Sequence, residues 1–124
     1  MQWTVLATAL VLGMYFVLGG MVSQARGKYG VPAPTTTGDP GFERVYRIHQ
    51  NTGEQLIVFL PSLWMFAFHV SDLWAAALAV VFIAGRIIYA RSYFTDPASR
   101  APGFMIGAGA TVILLVGAVI GAFL

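Results

Sequence analysis

Long apolar stretches constrain this chain more than any other feature of its sequence. They predict four membrane spans, at about residues 3–22, 43–70, 73–94 and 103–124. A helix rises 1.5 Å per residue, so about twenty residues cross the roughly 30 Å of hydrocarbon in a bilayer. Only 10% of the residues are charged, against about 25% in an ordinary soluble domain. The sequence therefore predicts an all-α, integral membrane four-helix bundle that forms one domain over residues 1–124.

Positive charge is confined to two of the connections between these spans. The first connection contains ARGKYGVPAPTTTGDPG, which is rich in Gly, Pro and Thr and is typical of a loop, and the third contains FTDPASRAPG. These two connections share one face of a four-span protein. The basic residues in or beside them are Arg26, Lys28, Arg44, Arg47, Arg86, Arg91 and Arg100. Because basic loops stay on the cytoplasmic side, we expect this face to be cytoplasmic. The short loops favour a bacterial inner membrane.

Composition excludes several kinds of chemistry. The chain has no cysteine, so it offers no disulfide, no thiol nucleophile and no thiolate metal ligand. Its two histidines, His49 and His69, stand alone, and no metal site is expected. The net charge of +2 is too small to indicate a nucleic-acid partner.

Small residues recur along the fourth span. Gly103 and Gly107, and again Gly117 and Gly121, have the G-x-x-x-G spacing that lets helix backbones approach closely. The spacing fits packing within the chain or a seam with another copy, and packing within the chain is the simpler interpretation.

A polar stripe runs along the first half of the second span. Arg47, Asn51 and Glu54 follow one another at i, i+4 and i+7, which places them within about 60° of one another on a helix. An acid inside a membrane segment is costly unless it faces a partner or a wet cavity. One interpretation is a structural ion pair between Arg47 and Glu54. The other is a ligand site that holds both signs of charge.

The third span carries a second polar stripe at Arg86, Tyr89 and Tyr93. The planar fork of an arginine binds carboxylates in bidentate fashion, and a carboxylate such as that of Glu54 suits an ammonium group. The functional interpretation therefore predicts a small zwitterionic ligand with more than one acid group. We expect it to bind at the cytoplasmic border of the membrane.

The segment that contains the first stripe resembles a known family. Residues 36–64, TTGDPGFERVYRIHQNTGEQLIVFLPSLW, resemble the second-helix signature of the MAPEG family, the membrane-associated proteins in eicosanoid and glutathione metabolism. The resemblance extends from about Arg26 to Pro102. It implies a homotrimer of four-helix subunits that binds glutathione between neighbouring subunits, near the cytosolic side. Glutathione is a zwitterionic tripeptide with two carboxylates, so it matches the ligand that the stripes predict.

The resemblance also implies which residues bind each end of glutathione. Arg47 would hold the γ-glutamyl carboxylate, Glu54 the amino group, and Asn51 the same end of the ligand. Arg26 would meet the glycine carboxylate, with help from His49 where relatives have glutamine. Glutathione is thus implied as co-substrate, without a metal.

A further set of residues is assigned to the rest of the pocket by the same resemblance. Arg86, Tyr89 and Tyr93 would complete the pocket from the neighbouring subunit. Arg100 falls where the family places the arginine that stabilises the glutathione thiolate, and we expect it to be the catalytic residue.

Two positions depart from the family's pattern. Gln55 stands in place of a tyrosine beside the acid, and Gly27 in place of a second arginine beside Arg26. In the leukotriene-forming branch that second arginine is the candidate activator of the epoxide, so its absence argues against leukotriene synthesis. The non-catalytic, lipid-binding branch has lost the arginine that corresponds to Arg47, whereas this chain retains it.

The expected function is a membrane-bound glutathione transferase that conjugates glutathione to hydrophobic electrophiles, with peroxidase activity on lipid hydroperoxides as an additional reaction. Its expected partners are glutathione, an apolar electrophile or lipid substrate, membrane lipid and two further copies of the chain. The alternative is a noncatalytic lipid-binding or scaffold protein of the same fold. A small multidrug transporter also has four short spans, but it needs an ionisable residue in its first helix, and Trp3–Val22 carries none.

Overall fold

Four long helices make up almost the whole of the computed structural model, which describes all 124 residues. They are α1 (Gln2–Tyr29), α2 (Pro40–His69), α3 (Asp72–Thr95) and α4 (Ala101–Phe123), with a short 3-10 turn at Pro97–Ser99 before α4. There are no strands. The predicted all-α four-helix bundle is therefore confirmed.

Three segments are long and apolar enough to cross a membrane: Gln2–Tyr29, Asp72–Thr95 and Pro97–Phe123. The helix α2 is also long, at 30 residues, but the polar stripe in its first half lowers its hydropathy. That α2 crosses the membrane as a fourth span stays a prediction.

The end of α1 differs from the sequence prediction. The helix continues past Val22 to Tyr29, so Arg26 and Lys28 lie in its last turns and not in a loop. Arginine and lysine are good helix formers, and their charge is favoured at a helix C-terminus. The helix stops at Gly30, which adopts the left-handed conformation with φ 68°, as glycine often does after a helix. The connection to α2 is correspondingly shorter than predicted.

Local capping sets where the next helices begin. The Asp39 side chain accepts hydrogen bonds from the backbone N–H groups of Gly41 and Phe42, and Pro40 opens α2. The Ser71 hydroxyl accepts one from the N–H of Trp74 at the start of α3. Such caps satisfy N–H groups that have no partner inside the helix. Because only Val70 and Ser71 separate α2 from α3, these two helices must lie side by side and antiparallel.

The core is built where α2 and α3 meet in the middle of the bundle. The rings of Phe59 and Phe82 stack with centroids 3.8 Å apart, and both are fully buried. Leu63, Leu114 and Val11 surround them, so every long helix contributes to one apolar cluster. Since α1 packs on α2 and α3 from one side and α4 from the other, the polar residues of α2 and α3 are held close together.

The small residues of α4 pack within the chain. A Cβ atom on Gly117 would lie 2.7 Å from the Phe66 ring, and one on Gly85 of α3 would lie 2.6 Å from the backbone nitrogen of Gly107. Neither position has room for a side chain. The G-x-x-x-G spacing therefore serves the contacts of α4 with α2 and α3, as the simpler interpretation held.

Candidate functional site

A cavity of about 590 Å³ lies between α2, α3 and α4 at the end of the bundle that carries the long connections. We call it the polar cavity. Its volume is within the range of about 300–1,000 Å³ that is usual for small-molecule sites. Five of the nine site residues predicted from the sequence line it: Arg47, Asn51, Tyr89, Tyr93 and Arg100.

Apolar residues form another part of the same wall. Phe104 and Met105, from the start of α4, line the cavity together with Ala98 and Ala101. Nothing in the sequence distinguishes these residues, because an apolar residue near the start of an apolar helix carries no signal of its own. The cavity thus joins a basic surface to an apolar one.

Arg86 lies behind this cavity and is only 2% exposed. Its Nη2 donates hydrogen bonds to the Oδ1 of Asn51 and the Oγ1 of Thr52, each at 2.9 Å. Its guanidinium also lies over the Tyr89 ring, 4.1 Å from the centroid. The Nε atom has no hydrogen-bond partner. Arg86 therefore orients Asn51 and Tyr89, two residues of the cavity wall, and is itself covered by them.

The contact between Arg86 and Asn51 brings the two polar stripes together within one chain. The sequence interpretation took Arg86, Tyr89 and Tyr93 from a neighbouring subunit. Within one chain, however, Tyr89 and Tyr93 already line the same cavity as Asn51, and Arg86 is bonded to Asn51. The reason is that the first half of α2 and the second half of α3 run antiparallel at the same depth, so their polar stripes face each other.

Glu54 borders a different cavity, of about 610 Å³, between α1 and α2. Its Oε1 is 4.0 Å from the Nη1 of Arg47, and the side chains of Arg47 and Glu54 are 47% and 52% exposed. An ion pair this loose and this exposed contributes at most about 1 kcal/mol to stability. Arg47 therefore connects the polar cavity to Glu54, but the pair does little to hold the helix in place.

His49 also lines the cavity between α1 and α2. Its ring stacks on that of Tyr15, with centroids 4.5 Å apart, and a Cβ atom on Gly19 would lie 3.3 Å from its Nε2. The sequence does not indicate Tyr15 as a neighbour of His49, because nothing in α1 marks the turn that faces α2.

Arg26 holds the connection between α1 and α2. Its Nη1 donates to the carbonyl oxygens of Thr35 at 2.7 Å and Val31 at 3.3 Å, and its guanidinium lies over the Phe42 ring at 4.9 Å. It does not line the polar cavity. The structure therefore separates Arg26 and His49 from the five predicted residues that it brings together.

The chemistry of the polar cavity is that of an anion-binding site. Two arginines and two tyrosines line it, and no acidic residue does. The Nη1 of Arg100 donates to the carbonyl oxygen of Pro97 at 2.9 Å, which steadies the side chain and leaves other N–H groups for a ligand. No group of three His, Asp or Glu residues forms a metal site.

Comparison with known proteins gives the family. The model of the MAPEG family matches residues 4–120. An uncharacterized protein of Synechocystis sp. is 47% identical over 95% of this chain and 86% of its own length. Microsomal glutathione S-transferase 2 of Homo sapiens is 39% identical over 84% of this chain and 70% of its own, and leukotriene C4 synthase of Cavia porcellus 35% identical over 94% and 79%. On this identity and coverage, the chain belongs to the MAPEG family.

Proposed function

We propose that the protein is a membrane-bound glutathione transferase that conjugates glutathione to hydrophobic electrophiles. The observation that carries this proposal is the polar cavity, which is lined by Arg47 and Arg100 together with the apolar residues Phe104 and Met105. The family and its glutathione S-transferase relatives support the same conclusion. A second reaction, reduction of lipid hydroperoxides, uses the same thiol.

Glutathione binding uses both signs of charge around Arg47. The guanidinium of Arg47 holds the γ-glutamyl carboxylate, and Glu54, 4.0 Å away, holds the neighbouring ammonium group. Asn51 contacts the same end of the ligand, and Arg86 holds its amide in place through the 2.9 Å hydrogen bond. Tyr89 and Tyr93 form the adjoining wall of the cavity.

Arg100 activates the thiol in this mechanism. A thiol with an ordinary pKa of about 8.5 is only a few per cent ionised at pH 7, and the thiolate is the nucleophile. A guanidinium beside the sulfur favours the anion. The thiolate then attacks an electrophilic carbon: the carbon–sulfur bond forms, the bond to the leaving group breaks with its electron pair, and the thiol proton passes to solvent.

Hydroperoxide reduction follows from the same thiolate. The thiolate sulfur attacks the terminal peroxide oxygen: a sulfur–oxygen bond forms to give glutathione sulfenic acid, the oxygen–oxygen bond breaks, and the lipid alcohol leaves after taking up a proton. A second glutathione then releases water and forms glutathione disulfide. Two thiols are oxidised and one peroxide bond is reduced, so the reaction needs no metal.

We further propose a homotrimer with glutathione bound between subunits on the cytoplasmic side of a bacterial inner membrane. What supports shared sites is the position of Arg26 and His49, which lie outside the polar cavity of their own chain. We therefore assign their contact with the glycine carboxylate of glutathione to the site of a neighbouring subunit.

The test is an assay of the purified protein in detergent with glutathione and either a model aryl halide or a lipid hydroperoxide. We expect thioether formation above the uncatalysed rate. Arg47→Gln should abolish most of it, whereas Lys28→Gln, which removes an equal charge from an exposed position outside the polar cavity, should not. Lipid binding without either reaction would favour the noncatalytic alternative.

A further inference from the structure

A third cavity, in the form of a groove, lies on the side of α3 that faces away from the polar cavity. Its volume is about 370 Å³, and three helices line it: Leu18 and Met21 from α1, Val45 and Ile48 from α2, and Ala90, Arg91, Phe94 and Thr95 from α3. We call it the apolar groove. At 100° per residue, its α3 residues lie roughly 150° around the helix from Tyr89 and Tyr93. The apolar groove is therefore separate from the proposed glutathione site.

Positive charge gathers at one end of this groove. Arg91 is exposed, and the only carboxylates that pair with a basic group belong to Asp72 and Glu54, so Arg91 has no acidic partner. A second guanidinium is close by, since the Nη1 of Arg44 donates to the carbonyl oxygens of Phe94 at 2.9 Å and Thr95 at 3.4 Å. No acidic residue lines the groove.

Arg91 lies near one end of a helix that is long and apolar enough to span a membrane, where a lipid headgroup is expected. It lies one turn before α3 ends at Thr95, which is about 6 Å along the axis at 1.5 Å per residue. The apolar lining continues from there along α1 to Leu18, well before that helix ends at Tyr29. An occupant of the groove therefore needs an anionic group at the membrane border and an apolar chain that runs toward the hydrocarbon.

We propose that the apolar groove binds one acidic phospholipid per chain, with one acyl chain in the groove and the phosphate on Arg91. A guanidinium fork binds phosphate oxygens in bidentate fashion, and basic pockets between membrane helices bind anionic headgroups. Inorganic phosphate fits less well, because it leaves the apolar lining exposed to water. A choline lipid also fits less well, because its own cation lies next to the guanidinium groups of Arg91 and Arg44.

The test is native mass spectrometry of the purified full chain titrated in detergent with phosphatidylglycerol or phosphatidylcholine of identical acyl chains. We expect tighter binding of phosphatidylglycerol, with one molecule retained per chain. Arg91→Gln should weaken that binding about fivefold and leave phosphatidylcholine unchanged, because a basic residue near the membrane surface contributes about this much to anionic lipid binding. Lys28→Gln, which removes the same charge from outside the groove, should change it less than twofold.

Two further measurements distinguish binding in the apolar groove from nonspecific attraction to lipid. Ala90→Phe should fill the groove and remove the retained phosphatidylglycerol even with Arg91 intact. Inorganic phosphate, which has no acyl chain, should not displace the phospholipid at equal concentration. Equal losses in Arg91→Gln and Lys28→Gln, unchanged retention in Ala90→Phe, or displacement by inorganic phosphate would each overturn the proposal.

Discussion

Glu54→Gln separates a structural role of this acid from a role in binding. The substitution keeps the shape of the side chain and removes its negative charge. In the structure Glu54 is 52% exposed, and its nearest basic atom, the Nη1 of Arg47, is 4.0 Å away. The carboxylate makes no hydrogen bond to the rest of the chain. The consequences for folding and for ligand binding should therefore differ in size.

The exposure of Glu54 sets the expected loss of stability and the expected loss of glutathione affinity. An exposed ion pair contributes about 0–1 kcal/mol, so the loss of stability should fall within that range. Removing the partner of a ligand's ammonium costs roughly 2–5 kcal/mol when the pair is desolvated, and the open position of Glu54 argues for the lower limit. A loss of about 2 kcal/mol corresponds to a rise of about thirtyfold in the Kd for glutathione.

Titration calorimetry with glutathione, and thermal unfolding of the same detergent preparations, measure these two effects. Glu54→Gln should raise the Kd for glutathione about thirtyfold and leave the unfolding temperature nearly unchanged. An apolar inhibitor that lacks the ammonium group should bind both proteins equally. A large fall in unfolding temperature with an equal loss of both ligands would show that Glu54 is structural and would refute the argument from exposure.

Three other substitutions test the catalytic, packing and assembly arguments. Arg100→Ala should still bind glutathione, but the pKa of the bound thiol should rise toward its ordinary value. Each unit of that rise lowers the thiolate fraction about tenfold at neutral pH, so turnover should fall at neutral pH and recover as the pH rises. An unchanged titration of the thiolate absorbance would exclude Arg100 from this role. Gly103→Ala should lower stability by about 1–3 kcal/mol because its Cβ meets the α3 backbone, whereas Gly109→Ala, which has nothing within 4 Å, should not; equal unfolding temperatures would contradict this packing. Arg47→Ala and Arg26→Ala should each be inactive but regain activity in mixed trimers, since some sites then receive both intact residues; verified mixed trimers without activity would count against shared sites.

The sequence by itself determined which segments are helices and which chemistry the chain can offer. Apolar runs of about twenty residues leave few alternatives to membrane helices, because backbone N–H and C=O groups need partners inside hydrocarbon. The charge and polar stripes identified Arg47, Asn51, Tyr89 and Tyr93 before any contact was known, since spacing fixes the side of a helix on which a residue lies. The end of α1 was placed too early, because loop-like composition after Val22 outweighed the helix-forming residues near Arg26.

Only the tertiary structure decided which stripes meet. Periodicity gives the side of a helix but not the rotation of that helix against its neighbours, which depends on how large and small side chains fit. Here Phe59 and Phe82 stack in the core and glycines let α4 approach α3. That packing brings Arg86 to Asn51 within one chain, at 2.9 Å. It also stacks His49 on Tyr15 of α1. The spacing along α2 already puts His49 about 160° around the helix from Asn51, but it does not say which residue of α1 His49 meets.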